Sequence, residues 1–155
     1  MNALFETDFQ GTLGELIAQT HLLAHGVQAA APIKDSGNDL IAIRRHSFCA
    51  VQVRTSRDGS INKPNPKRLY HILAVVHLPF ERDFPLVEKA RVFLFREKDV
   101  EGLTGTVNDY PGALISDDLV LKLWPDNAVG SALDDALGPA PRFIKRKRGG
   151  STLDR

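Results

Sequence analysis

Asp39, Gln52 and Arg54 are the residues whose types and spacing first suggest chemistry in this 155-residue chain. They lie in SGNDLIAIRRHSFCAVQVRTS, residues 36–56, where two apolar stretches flank a basic turn. Period-two alternation puts Asp39, Ile41 and Ile43 on one face of a strand. It puts Ala50, Gln52 and Arg54 on one face of the next, with Val51 and Val53 opposite. If an antiparallel pair turns near Arg45–His46, Asp39 falls at the end of the second strand, where Gln52 and Arg54 lie. A carboxylate, an amide oxygen and a guanidinium then converge at one sheet edge. Glu15 adds a second carboxylate if its helix packs on the sheet. On these residues alone two readings stand: a half-solvated sheet face, or a site.

The elements that must position them are legible as patterns. DFQGTLGELIAQTHLLAHG carries apolar residues at Leu13, Leu16, Ile17, Leu23 and Ala24, with Thr20 between them, which predicts a helix presenting that stripe. Gly26 closes it as a C-cap residue. Val27–Ile33, Asp39–Arg44 and Phe48–Thr55 read as three strands of a meander. Residues 57–67, RDGSINKPNPK, form a basic loop. YHILAVVH (70–77) and RVFLF (91–95) are two further strands, joined by a Pro-rich connection. Residues 97–112 read as irregular. Ser116 caps a short helix running to Trp124, with Pro125 stopping it. A last helical turn is placed at 134–137.

Length and composition point to one soluble domain: 43% hydrophobic, 25% charged, and no apolar run long enough to span a bilayer. The boundary is placed at 1–138, with 139–155 as a basic, flexible tail. MNALFETDFQ lacks the pattern of a secretory leader, and a cytoplasmic location is expected. Cys49 is the single cysteine, which excludes an internal disulfide or a Cys-based zinc cluster; a buried, inert thiol is expected.

Net charge is only +1, but the charges are segregated. Lys34–His71 holds eight Lys/Arg against three Asp, and Glu97–Asp135 holds nine acids against two Lys. RFIKRKR then adds Arg142, Lys145, Arg146, Lys147 and Arg148. A basic face of this kind suggests phosphate contacts.

The order Gly14-Glu15-Leu16, His25-Gly26, SGNDLIAI and AVQVRTS resembles the PD-(D/E)XK nuclease superfamily, over roughly the first half of the chain. The resemblance implies an α/β, restriction-endonuclease-like fold with an α-β-β-β core and a mixed central sheet. Glu15 matches the family's helix glutamate, Asp39 its strand aspartate, and Gln52-Val53-Arg54 its (D/E)-X-K. Gln at the first position is closest to the QxK variant branch, such as intron-encoded homing endonucleases. Arg54 replaces the lysine, and Asn38 stands where the signature has proline.

What the resemblance implies is an Mg²⁺-dependent DNA endonuclease, with Mn²⁺ as a substitute. Its metal ligands are Asp39, Glu15, the Gln52 side-chain oxygen and the Val53 carbonyl. Its catalytic set is Asp39, Gln52, Arg54 and Glu15. Arg54 grips phosphate but cannot act as a base, which leaves Lys34, Lys63 and His71 as bases by position. Arg57, Lys63, Lys67 and Arg68 line the approach to double-stranded DNA, and the basic tail adds nonspecific affinity. A domain this small needs a homodimer or homotetramer to cut both strands.

Two alternatives belong beside this: a nuclease-derived DNA-binding module without turnover, and an α/β interaction protein whose acidic half meets a protein partner. His21 and His25 have a zinc-compatible i, i+4 spacing but lack a third ligand, so they read as surface or helix-end residues. Tyr70, Phe93, Phe95 and Trp124 read as core.

Overall fold

The first helix, α1 (Ala3–Ala24), crosses one face of a five-stranded sheet. The structure, a computed structural model, describes residues 3–33, 38–66 and 68–125. Gly26 (φ 74°) ends α1. Its N–H donates to the Leu23 carbonyl and that of Val27 to the Leu22 carbonyl, so the helix's last carbonyls are satisfied as the chain turns.

The face that α1 buries shares only Leu13 and Ile17 with the predicted stripe. Gly14, Ile17, Ala18 and Leu22 are buried, whereas Leu16 and Leu23 are 54% and 62% exposed. The reason is close approach. A Cβ built on Gly14 would lie 1.8 Å from Thr55 Oγ1, so the absence of a side chain there, and not Leu16 or Leu23, sets the contact line.

After α1 come β1 (Gln28–Ala30), β2 (Leu40–Arg44) and β3 (Ser47–Ser56), the predicted antiparallel meander with its ends adjusted by a few residues. Arg45 takes φ 53° in the two-residue turn between Arg44 and Ser47. That turn locks the register Leu40↔Val51, Ala42↔Cys49. β4 (Ile72–His77) then runs parallel to β3. The chain continues through a small hairpin, β5 (Phe80–Glu81) and β6 (Phe84–Pro85), to β7 (Arg91–Arg96), antiparallel to β4. The order β1-β2-β3-β4-β7, with one parallel pair, is the expected α/β class with an α-β-β-β start and a mixed sheet.

Two apolar layers sandwich the sheet. On the α1 side, Ile17, Ala18 and Leu22 meet Leu40, Val51, Val53, Ala74 and Val92. They are joined there by Trp124 from the end of α3 (Asp117–Leu123). The Ser116 hydroxyl caps α3 by accepting the Leu119 N–H, as predicted. On the other side, Leu73, Val75, Phe93 and Phe95 are covered by Val100, Leu103 and Val107. The covering segment is not wholly irregular. It holds α2 (Glu97–Val100) and short 3-10 turns at Val107–Asp109 and Pro111–Ala113. Tyr70 is half-buried at the margin of this layer.

Among the described residues no helix is long and apolar enough to cross a membrane. Cys49 is half-buried, not buried, and burial raises its thiol pKa. The 138/139 boundary, the helical turn at 134–137, Lys34, Lys67 and the basic run Arg142–Arg148 lie outside the described residues.

Candidate functional site

β3 is ten residues long, but β2 pairs only with its first half, through Val51. From Gln52 onward the β2-side edge of β3 is open, and Asp39, just before β2, sits at that opening. Its backbone N–H donates to the Val51 carbonyl at 3.0 Å. Its carboxylate Oδ2 accepts the Val53 N–H at 2.6 Å and the Gln52 side-chain Nε2–H. The N–H and C=O of one strand residue point to the same edge, so the Val53 carbonyl faces this opening too. Asp39 and Gln52 therefore meet as the hairpin register predicts.

A cleft of about 350 Å³ lies there, lined by Gln10, Gly11, Glu15, Asp39, Val53, Arg54, Thr55 and Arg68. Glu15 reaches it from α1. Burial and then the negative charge of Asp39 hold its pKa above the ordinary 4.5. Two carboxylates that repel one another in a partly desolvated cleft form an arrangement that a cation relieves. Arg54 lines the same cleft and forms no hydrogen bond or ion pair with the described residues. Gln52 lies beneath, with 0% of its surface exposed.

Arg68 was placed by sequence on the approach, but the structure brings it inside. Its Nη1 donates to Gln52 Oε1 at 3.2 Å and lies 3.7 Å from Asp39 Oδ1. Arg57 stands at the rim, donating to Gln10 Oε1 at 3.1 Å and lying 4.1 Å over the Phe80 ring. Lys63 does not line the cleft; its Nζ donates to the Glu101 carbonyl at 2.6 Å, in a neighbouring recess that shares Arg68. His71 is also elsewhere. Its Nδ1 accepts the Ala50 N–H at 3.0 Å, and it lines a different recess with Cys49 and Glu97. Neither of these two described base candidates reaches the site.

Sequence reasoning missed Gln10, Gly11 and Thr55. The signal was present for two of them: Gly11 and Glu15 are i, i+4 on α1, and Thr55 adjoins Arg54 on the strand. His25 is occupied by structure, its Nδ1 lying 2.7 Å from Asp117 Oδ1 and tying the end of α1 to the start of α3.

The donor set suits a hard cation. Asp39 and Glu15 offer carboxylate oxygens and Val53 a carbonyl oxygen, ligands that Mg²⁺ accepts alongside retained waters. Among the described residues no three His, Cys, Asp or Glu side chains converge to form a metal cluster.

No family model matches this chain, and neither does any curated protein. Among solved structures, a bacterial homing endonuclease, I-Ssp6803I, is similar over 75% of this chain and 93% of its own, at 15% identity and a TM-score of 0.49. At that level the likeness establishes neither family nor activity. The geometry of the cleft has to carry the functional case.

Proposed function

We propose that this chain is a metal-dependent DNA endonuclease of restriction-endonuclease-like architecture. The observation that carries the reading is the meeting of Asp39, Glu15 and Arg54, the last without a hydrogen bond or ion pair among the described residues, in one open cleft at the sheet edge. Mg²⁺ or Mn²⁺, when bound, supplies the polarisation of an attacking water and of the phosphoryl oxygens. Asp39 is the principal ligand, held in place by the Val53 N–H. Glu15 and the Val53 carbonyl complete the protein's share.

Arg54 binds the phosphate and stabilises charge that grows on it during hydrolysis. It does not take the proton from water, because guanidinium stays protonated at any working pH. With His71 and Lys63 outside the cleft, solvent, or a Glu15 oxygen that is not on the metal, takes the proton among the described residues. Gln52 orients the site from beneath, through its bond to Asp39. Arg57 at the rim contacts the backbone of double-stranded DNA, and the Arg142–Arg148 run adds salt-dependent affinity. Cutting both strands calls for two such sites, hence a homodimer or homotetramer.

Arg54 in the position of a lysine favours one second reading, a DNA-binding module without turnover. A plasmid-nicking assay with Mg²⁺ or Mn²⁺ separates the two. The endonuclease reading expects nicking by the wild type that disappears in Asp39→Asn. Duplex binding without nicking in either metal leaves the binding module.

A further inference from the structure

A guanidinium other than Arg54 enters the cleft, and it is tied to the one fully buried polar side chain there. Arg68 donates to Gln52 Oε1 at 3.2 Å, while Gln52 donates its Nε2–H to Asp39. This fork fixes the amide's orientation. Reversed, it would set an NH₂ against the guanidinium and an oxygen against the carboxylate, two repulsions in a site from which water is excluded at Gln52. An acid at this position would be buried beside Asp39 with like charge. A neutral amide serves both neighbours, one through each end.

Arg68 carries five N–H donors; its Nη1 donates to Gln52 and lies 3.7 Å from Asp39 Oδ1, which leaves Nη2 and Nε for other partners. Its side chain is 40% exposed, so the remaining donors can meet a ligand entering the cleft. Arg54 lines the same cleft. Two guanidiniums beside two carboxylates match an anion that is held at once by a metal and by cations, as a phosphodiester is.

We infer that Arg68 is a second phosphate-binding residue at the reacting centre, acting with Arg54, and that Gln52 is the positioning residue that holds it there. This rests on the phosphodiester reading of the cleft. It assigns Arg68 to the phosphate undergoing reaction and not to the DNA approach. It also gives Gln52 a positioning function beside the metal-ligand role expected from sequence, because Arg68 takes one lone pair of its Oε1.

The test compares the full-length wild type with Arg68→Ala, Gln52→Met and the double variant, each first checked for a cooperative thermal transition. Without metal, affinity for a short DNA duplex is measured against salt concentration. Loss of one phosphate contact lowers the slope of log affinity on log salt by about 0.9. The inference expects that change in Arg68→Ala, a smaller change of the same sign in Gln52→Met, and a double variant no worse than Arg68→Ala alone. With Mg²⁺ and saturating protein, single-turnover cleavage by Arg68→Ala should fall by about a hundredfold.

An unchanged slope, or fully additive losses in the double variant, overturns the inference. So does a lowered slope with wild-type cleavage at saturation, which makes Arg68 an ordinary backbone contact. If the wild type cuts nothing, the nuclease reading fails by itself. The salt slopes and their non-additivity still decide whether Arg68 and Gln52 hold a phosphate together.

Discussion

The carboxylate of Asp39 accepts the backbone N–H of Val53 at 2.6 Å, across the point where β2 stops pairing with β3. The side chain of one strand thus continues the ladder that its backbone has left. It does so with a charged acceptor, which strengthens the bond. The same contact fixes where the carboxylate stands relative to Glu15 and Arg54.

Asp39→Ala should therefore destabilise the fold as well as empty the site. Removing a charged partner from a backbone N–H costs about 1.5–3 kcal/mol. Asp39→Asn keeps an acceptor of the same shape and should stay within about 1 kcal/mol of wild type. Urea denaturation of both variants measures the difference. Equal stability of Asp39→Ala and wild type would show that the Val53 bond contributes little.

Gly14→Ala should be destabilising out of proportion to a single methyl group, because that methyl would lie 1.8 Å from Thr55 Oγ1. Overpacking of this kind costs about 1–3 kcal/mol. It should also push α1, and Glu15 with it, away from the cleft. Adding Thr55→Ala removes the clashing hydroxyl and should restore part of the melting temperature. A double variant no more stable than Gly14→Ala would contradict this packing.

Glu15 gives a pH signature of definite sign. Its folded-state pKa is raised above 4.5, by burial first and by Asp39 second. A raised value contributes stability that is present below the unfolded pKa and lost as pH rises through the folded one. Glu15→Gln should then raise the melting temperature of the metal-free protein at about pH 8 and make little difference at about pH 4. With Mn²⁺ added at the higher pH the order should reverse, since the ion stabilises only the carboxylate form. Thermal melts in chelator and in Mn²⁺ check both limbs.

Arg54→Ala should leave stability within about 0.5 kcal/mol, since the guanidinium makes no hydrogen bond with the described residues. Its cleavage should fall by about two orders of magnitude. Arg54→Lys keeps the positive charge and should retain cleavage within about tenfold of wild type, with a point charge in place of a bidentate grip. Plasmid nicking read as initial rates separates the three proteins. Wild-type rates in Arg54→Ala would remove Arg54 from the reaction.

The geometry of the candidate site was legible where the fold is governed by short-range rules. Alternation and the two-residue turn at Arg45–His46 fix the β2–β3 register, and the register alone brings Asp39 to Gln52. The helix face was misread because hydrophobicity points to Leu16 and Leu23, while the packing is decided by the absence of a side chain at Gly14. The Phe80–Pro85 hairpin went unseen because its tip residue in the left-handed region is Arg82 (φ 55°), where Gly or Asn would have signalled the turn. Arg68 follows a loop without periodicity, so its entry into the cleft depends on the loop's path and not on any local pattern.

Anomalous scattering from a crystal soaked in Mn²⁺ tests the central claim most directly. The account expects a peak at roughly 2.1 Å from an Asp39 carboxylate oxygen, shared with the Val53 carbonyl and with Glu15 directly or through water. A protein that cuts DNA while its Mn²⁺ binds elsewhere, or one whose Asp39 carboxylate binds no ion at saturating metal, would contradict it.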